Sequence, residues 1–376
     1  MTQKVFLFGP FCLPSMQRTI LQDRPAAQRA RLAGHRLVEA AVALPALACC
    51  AGEHVDGWLA DVSDDAVTTL SHFIALWGGA PVTLRVETPD GPVQALTHVL
   101  APEEAAHAPD WSARGLNAQG EAVLSGATAE ILALAATHPP QTLRARWSMA
   151  LSGAASAQRA SAAPDAARLR APWTRGDVQT ADQTRPYAWF FALAEATLRF
   201  RRFDGSFSPQ IKRAGFVMSD AVTVLPYDPK RDLVMVIEQF RFGPWLRGAS
   251  NCWSLEPIAG RVDGFETPET CALREAREET RLVLQHDQLV RVGAGYPSPG
   301  AVSEYLYHFA ALCDLTEGQS NIAGLDSEDE DIRSHVIPFA RLMDLIDSGE
   351  VENGPLMLTA FWLASQRARL QRAAAG

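Results

Sequence analysis

The segment from Gly260 to Leu282 constrains this chain of 376 residues more than any other stretch. It contains a leading glycine, a threonine–proline pair, an arginine–glutamate pair and a double glutamate at fixed intervals. Thr267 followed by Pro268 predicts a helix start, because threonine caps unpaired amides and proline is tolerated at the first helical position. The pattern therefore predicts a helix from Pro268 to about Thr280.

Three glutamates of this predicted helix should share one face. Glu278 and Glu279 lie three and four residues after Glu275, and residues at that spacing are neighbours on a helix surface. A hard divalent cation, Mg²⁺ or Mn²⁺, would relieve the repulsion among the carboxylates, bind pyrophosphate oxygens and help to position an attacking water. The alternative is a solvated helix whose glutamates pair with arginines at helical spacing, such as Arg274 and Arg277.

The pairs Arg274–Glu275 and Glu278–Glu279, in register with the leading glycine, resemble the Nudix box. That box is the signature of hydrolases that cleave nucleoside diphosphates linked to another group. The resemblance implies that Glu275 and Glu279 bind a metal ion. It also implies that Arg274 and Glu278 are catalytic residues.

Two positions depart from the family pattern. Ala276 replaces a larger aliphatic residue, and Arg281 replaces the glycine that usually closes the helix with a positive φ. Because that conformation costs arginine more than glycine, we expect the end of this helix to have a different shape.

Residues after the box resemble the ADP-ribose pyrophosphatases of the same family. Pro297 lies 15 residues beyond Leu282, near the distance typical of these enzymes, although a proline–glycine turn is also an ordinary loop. The segment 324–333 is similar to their acidic loop, which implies that Glu328 activates water and that Glu330 is an additional metal ligand. A solvated acidic turn is the alternative, and the choice among Glu328, Asp329 and Glu330 stays open.

Upstream of the box, Val222–Leu225 and Leu233–Ile237 predict two buried strands joined by a turn. The second strand leads into Glu238-Gln239-Phe240-Arg241, which resembles a family motif whose arginine contacts substrate phosphates. Arginine suits this contact because its planar fork donates to two oxygens at once. Arg213 is a weaker candidate for a similar contact.

The residues directly before the box also match the family. The resemblance implies that the backbone carbonyl of Ala259 ligates a metal ion. It places Glu256 near the substrate. Family members form homodimers, so we expect a homodimer by analogy.

Composition excludes several classes of protein. The net charge of −9 argues against nucleic-acid binding, and no apolar run reaches membrane-spanning length. The six cysteines show neither CxxC pairs nor disulfide-like spacing, so we expect reduced thiols and a cytoplasmic location.

The sequence predicts an α/β protein of three parts. Residues 1–111 are loosely similar to the gamma-glutamylcyclotransferase-like fold, a small α+β barrel, but no carboxylate lies near Ile74 where active members have one, so this domain should be inactive. Residues 112–184 form an alanine-rich helical connector. Residues 185–376 form the Nudix domain, an α/β/α sandwich around a mixed sheet. This fusion resembles bacterial proteins associated with tellurite resistance.

The function implied by these resemblances is Mg²⁺-dependent hydrolysis of the pyrophosphate bond of ADP-ribose to AMP and ribose 5-phosphate. The expected partner is thus a small-molecule nucleotide. Two alternatives stay open: hydrolysis of another nucleotide sugar or a dinucleotide, and an ADP-ribose-binding sensor without catalytic activity.

Overall fold

The computed structural model describes residues 1–113, 116–164, 168–325 and 329–375. The chain divides into two compact units, Met1–Val217 and Met218–Gly376. Residues 185–217, which the sequence analysis assigned to the C-terminal domain, belong to the first of these units. The division into three functional domains stays a prediction.

A closed five-stranded barrel forms the N-terminal part of the first unit. Its strands follow the order β1-β3-β2-β4-β5, and β3 and β5 also pair with each other. The barrel core is apolar, and the run from Val5 to Phe8 in β1 is fully buried. The strands are β1 (Thr2–Phe8), β2 (Ala27–Ala41), β3 (Leu44–Ser63), β4 (Ala80–Thr88) and β5 (Gly91–Val99). The small barrel expected from the sequence is therefore present.

Helices surround and follow this barrel. They are α1 (Pro14–Leu21), α2 (Asp64–Ala75), α3 (Pro102–Ala105), α4 (Ala118–Ala135) and α5 (Pro140–Ala162). Helices α4 and α5 pack so closely that a Cβ added at Gly126 would lie 3.0 Å from Cβ of Ala154. The predicted connector thus contains a helical hairpin.

The rest of the first unit is an antiparallel three-stranded sheet of β6 (Val178–Ala188), β7 (Ala192–Phe200) and β8 (Ile211–Val217). A buried arginine connects the turn between β6 and β7 to the helical hairpin. Arg146, on α5, donates to the backbone carbonyls of Trp189 and Phe190 and pairs with Glu130 of α4 at 2.9 Å. Arg185, on β6, approaches the other oxygen of Glu130 at 2.6 Å. One carboxylate therefore compensates two guanidinium groups.

A mixed sheet forms the centre of the second unit, in the order β13-β14-β9-β10-β16-β15, with β11 paired to β10 and β12 paired to β9. Strands β9 and β14 are parallel. The strands are β9 (Ala221–Asp228), β10 (Leu233–Phe240), β11 (Trp253–Glu256), β12 (Ile258–Arg261), β13 (Leu289–Gly295), β14 (Leu306–Leu312), β15 (Ile322–Ala323) and β16 (Ile332–Pro338). The two strands predicted upstream of the box are confirmed as parts of β9 and β10.

Helices cover both faces of this sheet. They are α6 (Phe242–Arg247), α7 (Pro268–Thr280), α8 (Phe339–Ser348) and α9 (Gly354–Ala375). Val222 and Val224 pack in a core with α7, whereas Leu225 and Tyr227 pack in a second core with α8 and α9. Because β9 is buried on both faces, its sequence is almost continuously apolar. The arrangement is the predicted α/β/α sandwich.

The predicted box helix is confirmed as α7, and the hydroxyl of Thr267 accepts a hydrogen bond from the amide of Thr270 at 3.1 Å. Its C-terminal end differs from our expectation. Arg281 adopts the left-handed conformation with φ of 61°, and the amide of Leu282 donates to the carbonyl of Ala276. The helix therefore closes as it would with glycine, and Arg281 bears the conformational cost.

Among helices of the described residues, none combines the length and the apolar character that crossing a membrane requires.

Replacing Arg281 with glycine should stabilise the second unit by about 0.5–1 kcal/mol, because glycine adopts the left-handed conformation without Cβ strain. Chemical denaturation measures this change in the free energy of unfolding. Arg277→Gly, inside the helix, is the matched control and should destabilise by about 1 kcal/mol. Destabilisation by both variants would contradict the account.

The stability of the first unit should depend on His98, which is 1% exposed and lies 2.8 Å from the hydroxyl of Ser71. Burial lowers the pKa of His98 from 6.5 to about 4. As the pH falls below 6.5, His98 becomes protonated in the unfolded chain, whereas in the folded chain it stays neutral down to about pH 4. The free energy of unfolding therefore falls as the pH falls from 6.5 to about 4. We expect a loss on the order of 2 kcal/mol.

Denaturant unfolding followed between pH 7.5 and 4.5 tests this expectation. His98→Gln should flatten the pH dependence of the free energy of unfolding. Ser71→Ala should retain it, because the imidazole stays buried. An unchanged slope in His98→Gln would contradict the assignment.

Candidate active site

Arg274 organises the acidic face of α7. Its guanidinium contacts Glu275 at 2.8 Å, Glu278 at 2.9 Å and Glu266 at 2.7 Å. Burial lowers the pKa of Arg274, but the hydrogen bond to Glu266 and the charge of Glu275 outweigh burial and raise it. The pairing of glutamates with arginine that the sequence left as an alternative is thus real. It joins three carboxylates to one cation and leaves Glu279 to other partners.

Glu279 is the most deeply buried carboxylate of the cluster, with 2% of its surface exposed. It accepts a hydrogen bond from the amide of Ala259 at 3.0 Å. Burial raises the pKa of Glu279 well above its usual value, and the negative charges of Glu275 and Glu330 raise it further. The structure therefore brings Ala259, Glu275, Glu279 and Glu330 into one electrostatic environment.

The first glycine of the box provides space for Glu275. A Cβ at Gly260, on β12, would overlap the carboxylate of Glu275. Burial raises the pKa of Glu275 to about 7, while the charge of Arg274 opposes this rise. Glycine is required here by the close approach of a side chain, since its φ is not in the left-handed region.

The acidic loop lies beside α7. The amide of Gly324 approaches the backbone carbonyl of Glu278, and the amide of Leu325 donates to the carboxylate of Glu330 at 3.3 Å. Gly324 has a φ of +114°, and a Cβ there would lie 2.8 Å from Cβ of Glu330. The loop backbone thus holds Glu330 near the cluster, whereas Glu328, the predicted base, falls outside the described residues.

The donor atoms of this cluster are of the kind that binds a hard divalent cation. Carboxylates and a backbone carbonyl are the oxygen ligands that Mg²⁺ and Mn²⁺ accept. Burial raises the pKa of Glu275 and of Glu279, and neighbouring carboxylates raise both pKa values further, so a bound cation would stabilise the charged forms. No group of three or more His, Cys, Asp or Glu among the described residues is already arranged to hold a cation. The residues fit a divalent cation in kind, and its binding requires the carboxylates to reorient.

Arg241 follows β10 and turns toward the same site. Its guanidinium forms a double hydrogen bond with Glu256, with Nη2 at 2.7 Å from Oε2 and Nε at 3.1 Å from both oxygens. Glu256 lies on β11, which pairs with β10, so the sheet holds both partners in register. Burial lowers the pKa of Arg241, but Glu256 outweighs this, and the charges of Glu279 and Glu330 raise the pKa further. The predicted phosphate-binding arginine therefore lies within electrostatic range of Glu279 and Glu330.

The structure adds Glu304, which the sequence analysis missed. It lies two residues before β14, and burial raises its pKa, whereas the charges of Arg261 and Arg241 lower it. Glu304 therefore shares the electrostatic environment of Arg241. Its only signal in the sequence is a single carboxylate just before a strand, which is too common to single out.

Two of the residues predicted to bind the substrate have no described contact with the carboxylate cluster. Arg213 is exposed on β8, in the first unit, where its guanidinium donates to the backbone carbonyl of Lys212. Pro297 is exposed in the loop between β13 and β14. The roles of both in substrate binding stay predictions.

Known proteins resemble the C-terminal half of this chain. A model of the NUDIX domain matches residues 218–358. The chain is 31% identical to an ADP-ribose pyrophosphatase of Haemophilus influenzae over 202 residues, which are 53% of this chain and 92% of that protein.

Two Escherichia coli proteins are similar to a comparable degree. The ADP-ribose pyrophosphatase of strain K12 is 33% identical, covering 50% of this chain and 88% of that protein. The GDP-mannose pyrophosphatase of strain O1:K1 / APEC is 32% identical, covering 46% of this chain and 88% of that protein. With the NUDIX domain match and relatives covered nearly end to end, the chain belongs to the Nudix family.

Proposed function

We propose that this protein is a diphosphatase that hydrolyses the pyrophosphate bond of ADP-ribose to AMP and ribose 5-phosphate. The main support is one arrangement: Arg241 is held by Glu256, and the charges of Glu279 and Glu330 raise the pKa of its guanidinium, so a fixed cation lies within electrostatic range of the acidic cluster. A pyrophosphate is an anion that needs a cationic fork on one side and a metal-binding acidic face on the other. The ADP-ribose pyrophosphatase relatives support the choice of substrate.

We propose Mg²⁺ as the cofactor, with Mn²⁺ as a substitute. Glu275, Glu279, Glu330 and the carbonyl of Ala259 would hold it. When bound, the cation would neutralise charge on the pyrophosphate oxygens and favour deprotonation of water. The carboxylate and carbonyl oxygens of this site suit either metal.

The chain's own residues divide the remaining work. Arg241 would donate to phosphate oxygens, and Glu256 would fix the orientation of its guanidinium through their double hydrogen bond. Arg274 would restrain the Glu275 and Glu278 carboxylates. Glu328 would accept the proton of the attacking water, while Arg213 and Pro297 would contact the substrate.

Two other functions compete with this proposal. The similarity to a GDP-mannose pyrophosphatase favours another nucleotide sugar as an alternative substrate with the same chemistry. A sensor that binds ADP-ribose without cleaving it is the second. The complete set of box glutamates argues against a sensor, because binding alone would not require them.

We further propose a cytoplasmic homodimer with a catalytically inactive, gamma-glutamylcyclotransferase-like barrel. Exposed aromatic side chains support an interface, among them Trp189, Phe190 and Phe242 at 50% exposure or more. The closed barrel supports the fold of the N-terminal domain. The association with tellurite resistance stays a prediction.

AMP release from ADP-ribose, measured with Mg²⁺ beside a panel of nucleotide sugars and dinucleotides, tests the proposed function. Glu279→Gln should lower kcat on the order of 100-fold or more and weaken Mn²⁺ binding measured by calorimetry. Glu269→Gln, on the same helix, is the matched control and should retain both. Selective cleavage of GDP-mannose would overturn the substrate, and tight binding without cleavage would favour the sensor.

Gly260→Ala tests the packing of the box. The added Cβ should displace the Glu275 carboxylate and lower kcat at least about tenfold. Because the side chain can swing away, the free energy of unfolding should change by less than about 1 kcal/mol. Gly354→Ala, where nothing lies within 4 Å of the added Cβ, is the control. Full activity of Gly260→Ala would contradict the proposed position of Glu275.

A further inference from the structure

The six cysteines of the chain, all within the described residues, have different surroundings. Cys271 is buried, Cys49 is exposed, and the others are partly buried: Cys12, Cys50, Cys252 and Cys313. Cys49 also has an imidazole neighbour. The distance from its Sγ to Nε2 of His35 is 3.6 Å. This pair lies in the barrel and includes none of the residues assigned above to the diphosphatase.

The strand pairing of the barrel places these two side chains together. His35 on β2 is the register partner of Cys49 on β3. On one side of this pair the register shifts, because the next paired residues are Ala33 and His54, which leaves residues 50–53 of β3 as a bulge opposite Gly34 of β2. The bulge begins directly after Cys49. Cys49 is exposed and lies beside one of the two register shifts of the β2–β3 ladder.

A hydrogen bond to the backbone fixes the orientation of the His35 imidazole. His35 is only 9% exposed, and its Nδ1 lies 2.9 Å from the backbone carbonyl of Ala33. A carbonyl oxygen can only accept a hydrogen bond, so Nδ1 must donate. In the neutral imidazole this leaves the lone pair of Nε2 directed at the thiol of Cys49. A nucleophile, a base and a group that orients the base are thus in line.

The other thiols are disfavoured as nucleophiles by their surroundings. Burial raises the pKa of Cys12 and of Cys313 to about 12, and it also raises the pKa of Cys271. The hydrogen bond to Glu53 raises the pKa of Cys50, because a carboxylate opposes the formation of a second negative charge. Cys252 is partly buried and donates to the carbonyl of Ala249.

We propose that Cys49 and His35 form a thiol–imidazole pair and that Cys49 is the modification site of this chain for small soft electrophiles. In the reaction with iodoacetamide, Nε2 of His35 takes the thiol proton as Sγ attacks the methylene carbon. The S–C bond forms as the C–I bond breaks, iodide leaves, and the imidazolium returns its proton to solvent. The electrons of the C–I bond leave with iodide, so nothing is oxidised or reduced.

The test is site-resolved alkylation of the native protein with limiting iodoacetamide at pH 7, followed by mass spectrometry. Cys252 in the same sample is the internal standard. We expect Cys49 to react at least about tenfold faster than Cys252 in the folded protein. In urea the two rates should become equal, because the pair depends on the fold.

Variants separate the role of His35 from exposure alone. His35→Gln should slow alkylation of Cys49 at least about fivefold. His54→Gln, an exposed histidine on β3, is the matched control and should leave the rate unchanged, as should Cys50→Ser. If His35→Gln unfolds the barrel, His35→Asn measured in the same way replaces it as the deciding variant. Equal rates for Cys49 and Cys252 in the folded protein, or an unchanged rate in a folded His35→Gln variant, would overturn the proposal.

Discussion

The second unit depends on holding several negative charges on one helix. Glu266, Glu275 and Glu278 converge on Arg274, and a fourth carboxylate, Glu279, is buried against the amide of Ala259. Without Arg274 the carboxylates would face their mutual repulsion and their desolvation together. The contacts with Arg274 and with the Ala259 amide stabilise the folded state. They also hold together the carboxylates that would bind a divalent cation. Stability and proposed function therefore share one set of residues.

The position of this charge depends on the sheet. Strand β12 supplies Ala259 and Gly260, and β11 supplies Glu256, which orients Arg241 at the end of β10. Each contact joins a strand end to a side chain of α7 or of a neighbouring strand. Because the sheet is packed on both faces, small shifts in these strands are costly. The sheet therefore fixes the positions of Glu256, Ala259 and Gly260, while the Leu325 amide donates to Glu330.

The sequence predicted those parts of the fold whose signals are local. The cap at Thr267 and the spacing of glutamates were sufficient for α7, and apolar runs were sufficient for β9 and β10. It failed where tertiary contacts decide. Arg281 adopts the left-handed conformation against the preference of its residue type, where the hydrogen bond from the Leu282 amide to the Ala276 carbonyl closes the helix. Glu304 comes within electrostatic range of Arg241 through the placement of β14 in the sheet. Residues 185–217 associate with the first unit through contacts such as Arg146 to the carbonyls of Trp189 and Phe190, which no local pattern encodes.

The buried Arg146 has a practical consequence for dissecting the protein. A fragment that began at residue 185 would divide β6 within its run from Val178 to Ala188. It would also lack Glu130, so Arg185 would lose its counterion, and the carbonyls of Trp189 and Phe190 would lose their shared donor. Such a fragment would contain the whole Nudix match and yet expose a frayed strand edge prone to aggregation. If that fragment were insoluble, the cause would be the position of the cut within β6. The result would not show whether the C-terminal half can fold.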